Sequence, residues 1–261
     1  MSSDANASAR SVVTIRPHRS HRTLRVNAKS WTSSGLTVVI GLAATYAALV
    51  GIWPSMLGVV STLLRLSGVA AGSQNDAFLG IHSIVPLPLF PIVSLESALK
   101  TAGVCAIGLL VLAVVPIGKS PLRYWLSANV LVLMLTALYA FFTGTAAYDS
   151  FAFMLLVERT SVLMVLTVPI FSGMVSAFLP FSIFERIGMV VVTVLLDIMF
   201  AVLRITVFAL LTSRFGSIVE ANLYLFFGPL MDVVYFLSIF SLAAVSLGKR
   251  LAKNADAWEW L

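Results

Sequence analysis

Charge is what this chain has least of. Of its 261 residues, 17 are Lys or Arg and 11 are Asp or Glu, together 11%, where a soluble domain carries roughly a quarter. So few charges cannot coat a soluble globule, and the same shortage excludes disordered, collagen-like and coiled-coil chains. Cysteine occurs once, at Cys105, which excludes an internal disulfide and a multi-cysteine metal site. Histidine is nearly confined to the N-terminal tail, with only His82 beyond it. No Ser/His/Asp trio, metal-ligand spacing or phosphate-binding glycine loop is visible, so no metal and no cofactor is implied. No internal repeat is found either, which disfavours a transporter built by inverted duplication.

What remains is apolar. Hydrophobic residues make up 59% of the chain, and mean hydropathy is +1.00. The expected fold class is all-α, a polytopic membrane helix bundle. A helix needs about 20 apolar residues to cross the hydrocarbon core. Six stretches qualify: 36–53, 98–117, 124–143, 160–179, 187–211 and 223–247. An even count puts both termini on one side.

The net charge of +6 would suggest nucleic acid in a soluble chain. Its distribution instead follows the positive-inside rule, and no nucleic-acid partner is expected. With the N-terminus inside, the cytoplasmic segments hold Arg10, Arg16, Arg19, Arg22, Arg25, Lys29, Lys119, Arg123, Arg186, Lys249, Arg250 and Lys253. Only Arg65, Lys100, Arg159, Arg204 and Arg214 fall at or near the outer face. Residues 1–33 therefore read as a basic, disordered cytoplasmic tail, 34–248 as the transmembrane domain and 249–261 as a C-terminal cytoplasmic tail, in a cytoplasmic (inner) membrane. Residues 54–97 resist this pattern. A seventh crossing there would flip Lys119, Arg123 and Lys249 outward, so the stretch reads as an outer-face cap. Its first part, 56–69, is expected as a helix along the outer interface. Pro86, Pro88 and Pro91 prevent the remainder from running as one helix.

Ionisable side chains at membrane depth are costly, so each marks a candidate site. Asp197 and Arg204 lie seven residues apart, on one face of the fifth span and about 10 Å apart along its axis. Asp232 follows Gly228-Pro229, a sequence that predicts a kink or break. Counting from the outer ends of two antiparallel neighbours puts Arg204 and Asp232 at similar depth. An ion pair between them reads either as a structural clasp or as part of a polar pocket opening outward. Glu158, Arg159, Thr160 and Ser161 form a polar cluster expected at the outer start of the fourth span, where a capping box and snorkelling charges also account for them. Lys100 reads as a snorkeller, Cys105 as an inert small apolar residue and His82 as exposed in the cap.

These polar residues carry a resemblance. Glu158-Arg159-Thr160-Ser161 precedes a span ending in Ala177-Phe178-Leu179-Pro180, followed by Arg186-Ile187-Gly188 and then Leu203-Arg204-Ile205. In order, spacing and outward placement, about 155–245 resembles the exosortase/archaeosortase family of multi-pass membrane cysteine peptidases and transpeptidases. The family pattern has a catalytic Cys after the acidic residue, an Asn ahead of the Arg-Ile pair, and a His or a further Arg on the next helix. Here Arg159 stands at the Cys position and Ala201 at the Asn position, and no histidine follows His82. Only Arg204 carries over. The resemblance implies the helical framework and argues against the peptidase chemistry. It points to a non-catalytic membrane protein whose partners are the lipid bilayer and either an exported protein with a hydrophobic C-terminal tail or the polysaccharide-export machinery. Such a partner would be recognised at Glu158, Arg159, Arg204, Asp232 and Asp197. Two alternatives stay open: a membrane enzyme, either an exosortase-type peptidase or one with changed chemistry on a lipid-linked substrate, and a small transporter.

Overall fold

The computed structural model describes residues 22–24, 28–88, 93–114, 120–145, 149–179, 181–251 and 258–260. Most of the basic tail, including Arg10, Arg16, Arg19 and Arg25, lies outside the described residues, as do Pro91, Lys119, Pro180 and Lys253. The chain is mostly helical. The elements are β1 (Arg22–Leu24), α1 (Ala28–Leu66), a hairpin of β2 (Ala71–Phe78) and β3 (Ile81–Pro88), α2 (Leu95–Val114), α3 (Pro121–Thr143), α4 (Ser150–Ala177) and α5 (Ile183–Phe215). A 3-10 turn at Gly216–Val219 leads to α6 (Glu220–Phe227), α7 (Pro229–Leu251) and β4 (Trp258–Trp260). Five helical stretches are long and apolar enough to cross a membrane: Trp31–Leu66, Leu95–Val114, Pro121–Thr143, Phe151–Ala177 and Ile183–Arg250. The fifth comprises α5 to α7. This is a membrane protein of the multi-pass kind.

The core joins α1, α4, α5, α7 and the hairpin. Helical periodicity explains the choice of faces. On α5 the buried residues Val190, Val194, Asp197, Ala201, Arg204 and Phe208 recur every three or four positions, and on α4 Met154, Val157, Glu158, Ser161, Val165 and Val168 do the same. Between membrane helices, close backbone approach and polar contacts hold the assembly. Gly173 supplies such an approach, because a Cβ there would stand 2.1 Å from Val38 of α1. The helix α2 packs chiefly on α3, through a separate cluster that includes Ala98, Ala102, Ala137 and Ala140.

Two expectations are corrected. First, α1 does not stop near Trp53: it runs through Pro54 to Leu66 as one helix of 39 residues. Trp53, Leu57, Val60 and Leu64 are all buried on one stripe, and their packing holds the helix across the lost hydrogen bond at Pro54. The helix then ends in a Schellman motif, with Gly68 at φ 73° and Val69 N donating to Leu64 O at 3.0 Å. Residues 56–66 are thus the C-terminal end of α1, not a separate interfacial helix.

Second, residues 71–88 of the expected cap form a β-hairpin. Phe78 pairs with Ile81 around a two-residue turn, and both turn residues, Leu79 and Gly80, have positive φ, as a type I′ turn requires. Ile81, Ser83 and Val85 are buried while His82 and Ile84 are exposed, so β3 has one inward face. The hairpin lies beside the C-terminal half of α1, and its tip reaches Tyr46, whose hydroxyl donates to Leu79 O at 2.9 Å. That contact satisfies a carbonyl the hairpin itself leaves unpaired.

The predicted interruption at Gly228-Pro229 is present. α6 ends at Phe227 and α7 begins with Pro229 at its first position. Gly228 is required there by close approach, since a Cβ would stand 2.3 Å from Tyr224 O.

Candidate functional site

The fourth helix starts earlier than its hydropathy suggests. With its N-cap at Asp149 and its first residue at Ser150, Glu158, Arg159, Thr160 and Ser161 lie more than two turns inside it. The capping explanation for this cluster is therefore withdrawn. Being interior, the four side chains fan out around α4 and meet different neighbours.

Arg159 points away from the bundle axis to the hairpin. Its Nε and Nη2 donate to the two carboxylate oxygens of Asp76 at 3.1 and 2.9 Å, and its guanidinium lies 5.4 Å from the centre of the Phe78 ring. The bidentate geometry holds the Asp76 carboxyl below its ordinary pKa, chiefly through the hydrogen bond from Arg159. Glu158 faces inward and is 2% exposed. One of its oxygens accepts a hydrogen bond from Trp53 Nε1 at 3.0 Å. The other is buried beside Ser83 of β3, and among the described residues neither it nor Ser83 Oγ meets a partner at hydrogen-bond distance and angle. Among the described residues Glu158 has no ion pair.

One turn deeper, Ser161 Oγ accepts from Arg204 Nη2 at 2.8 Å and donates to Val157 O at 2.7 Å. The other arm of the guanidinium donates to Asp232 at 2.6 Å, and both partners of this ion pair are buried. The depth arithmetic on two antiparallel helices is thus realised as a contact between α5 and α7. Asp197 does not compete for Arg204. It is fully buried and accepts a hydrogen bond from the Tyr235 hydroxyl, while its second oxygen has no partner. Four polar contacts therefore descend in series: Arg159–Asp76, Trp53–Glu158, Ser161–Arg204–Asp232 and Tyr235–Asp197.

Among the described residues Arg159 and Arg204 do not share a pocket: Arg159 reaches from α4 to Asp76 of the hairpin, Arg204 lies in the core against Asp232, and each is neutralised by its acid. The space beside Arg204, bounded by Thr160, Phe208, Tyr224 and Pro229, holds no volume for even one water. Cys105 is buried on α2, remote in the fold from this column, and Ser161 gives its proton to a backbone carbonyl rather than to a base.

Sequence reasoning missed Trp53, Asp76, Ser83 and Tyr235. Trp53 and Tyr235 read as ordinary apolar span residues, and Asp76 and Ser83 belong to a hairpin that the prolines hid. It also used Arg186 only as a topology charge and as part of a sequence motif. Arg186 Nη1 in fact donates to Ser33 and Ser34 of α1 at 2.7 and 2.6 Å, and Ser34 Oγ lies 3.4 Å from Ser176 Oγ of α4. A polar lock thus closes the opposite end of the same bundle. No family model, curated protein or solved structure matches this chain.

Proposed function

We propose that the chain is a non-catalytic member of the exosortase-like membrane framework, with six crossings and both termini in the cytoplasm of a cell whose cytoplasmic membrane it spans. It holds the hydrophobic tail of an exported protein, or an envelope-polysaccharide component, at its hairpin-covered outer face, without cutting it. One observation carries this reading. At the position where the resemblance would place a thiolate, Arg159 is bound through two hydrogen bonds to Asp76. A residue locked to a structural partner positions the hairpin and does not attack a substrate.

The six crossings have independent support. Glu185 pairs with Arg250, Arg204 with Asp232 and Asp197 with Tyr235. These near-constant index sums describe α5 and α7 as antiparallel neighbours, so the fifth apolar stretch crosses twice. The pairing of β1 with β4 brings the two ends of the chain together, which an even count requires. Arg186, Lys249 and Arg250 lie at that end, in line with the positive-inside rule.

The test is retention against cleavage. Detergent-purified protein is incubated with membrane-anchored tails of exported proteins from the same cells. Retained, uncut tails are expected, unaffected by alkylation of Cys105. Cleavage that is lost on thiol blocking, or on Arg204→Ala in protein that remains folded, would establish the enzyme instead.

A further inference from the structure

With Arg159 and Arg204 both neutralised, the anion-receptive character of this face lies elsewhere. A cavity of about 520 Å³ separates the C-terminal half of α1 from the hairpin. Its helix wall is Pro54, Leu57, Gly58, Ser61 and Arg65, and the opposite wall is the start of β2 with Ile84 of β3. Arg65 is its one charged side chain and has no ion pair or hydrogen bond among the described residues. The carbonyls of the last turn of α1 are already satisfied by the Schellman motif, so the guanidinium fork is left to solvent.

Helix arithmetic gives the cavity its place. The polar lock at Ser34 marks one hydrocarbon boundary. Twenty residues on, about 30 Å along α1, stands Pro54, one hydrocarbon thickness away. The cavity therefore opens where α1 leaves the membrane and rises about 16 Å to Arg65 at its rim. Its lower end is lined by the exposed Pro54 and Ile84, and its upper end is cationic. A lone arginine is a weak trap for a free ion in water, whereas an apolar wall continuous with the bilayer adds affinity for a ligand that is apolar at one end.

We propose that this cavity binds the phosphate-bearing end of an anionic amphiphile resident in the adjacent leaflet, with the phosphate on Arg65 and the stem against Pro54 and Ile84. The site is independent of the exosortase-like reading and of which side of the membrane the hairpin occupies.

The experiment uses the full chain in phosphatidylcholine nanodiscs, with dioctanoyl phosphatidylglycerol as probe and native mass spectrometry as readout. Dioctanoyl phosphatidylcholine and inorganic phosphate are the comparison arms. One phosphatidylglycerol per chain is expected in preference to phosphatidylcholine, weakening with salt. Arg65→Gln should weaken it at least tenfold, and Arg65→Lys less. Gly58→Leu provides a second, steric test. A Cβ at Gly58 meets nothing within 4 Å, so a leucine side chain starts into open space at the cavity wall and should abolish binding while thermal unfolding stays unchanged. Equal binding of the two lipids, or unchanged binding in both Arg65→Gln and Gly58→Leu, would overturn the proposal. Inorganic phosphate binding as tightly as the lipid would overturn the amphiphile assignment.

Discussion

Replacing Arg204 or Asp232 one at a time should damage the protein more than replacing both. Each Arg204 oxygen partner is a buried group: Asp232 is 2% exposed and Ser161 is fully buried. Removing Arg204 leaves the Asp232 carboxylate with no cation among the described residues and Ser161 without its donor. Breaking a buried pair in this way typically costs about 3–5 kcal/mol, while exchanging both partners for apolar residues of similar volume is often close to neutral. Arg204→Met and Asp232→Leu should therefore each lower the unfolding temperature of the purified protein strongly, and the double variant should recover most of the loss. Arg204→Met should be the worse single change, because it removes the partner of both the buried Asp232 carboxylate and the buried Ser161 hydroxyl. The readout is tryptophan fluorescence on heating, paired with the monodisperse fraction on size exclusion. Losses that simply add in the double variant, to within about 0.5 kcal/mol, would mean the two groups are uncoupled. That result would refute the pair as the link between α5 and α7.

Three further outcomes are expected. Asp76→Asn should loosen the hairpin, read as faster hydrogen exchange in β2 and β3. In the parent, the carboxyl's folded pKa is depressed by Arg159, so its contribution is full above the ordinary value of 3.8 and is lost as pH falls through the lower folded value; the variant should lack this acid dependence. Glu158→Gln keeps an acceptor for Trp53 and should be tolerated, whereas Glu158→Leu leaves the buried indole N–H unpaired at a cost of about 1–3 kcal/mol, measurable as a lower unfolding temperature than Glu158→Gln. A reporter fused after residue 261 should read cytoplasmic and one inserted at Gln74 external; a cytoplasmic signal at Gln74 would sink the six-crossing topology.

The membrane class and the ranges of α2, α3 and α5 were legible in the sequence because an apolar run long enough to cross a bilayer has few other stable states. The Asp197/Arg204 face followed from a spacing of seven, and the match of Arg204 to Asp232 followed from counting depth along two helices. Local chemistry also announced the break at Gly228-Pro229. What failed were inferences that needed a neighbour. Pro54 reads as a helix end until Trp53, Leu57, Val60 and Leu64 are seen packed along one stripe that keeps α1 continuous. The hairpin had no clear local signal, because Ser83 and Ile84 break the polar–apolar alternation of β3, Pro86 and Pro88 fall within that strand, and β2 is largely polar. The fate of the two outer arginines was decided by tertiary structure alone. Arg159 and Arg204 share an outward level in the sequence, yet Arg159 meets an acid 83 positions away and Arg204 one 28 positions away. Hydropathy and helical period are properties of one segment and survive without the fold. Which charge neutralises which depends on segments that only folding brings within hydrogen-bond distance, and in a medium that penalises unpaired charge that pairing determines where an open site can remain.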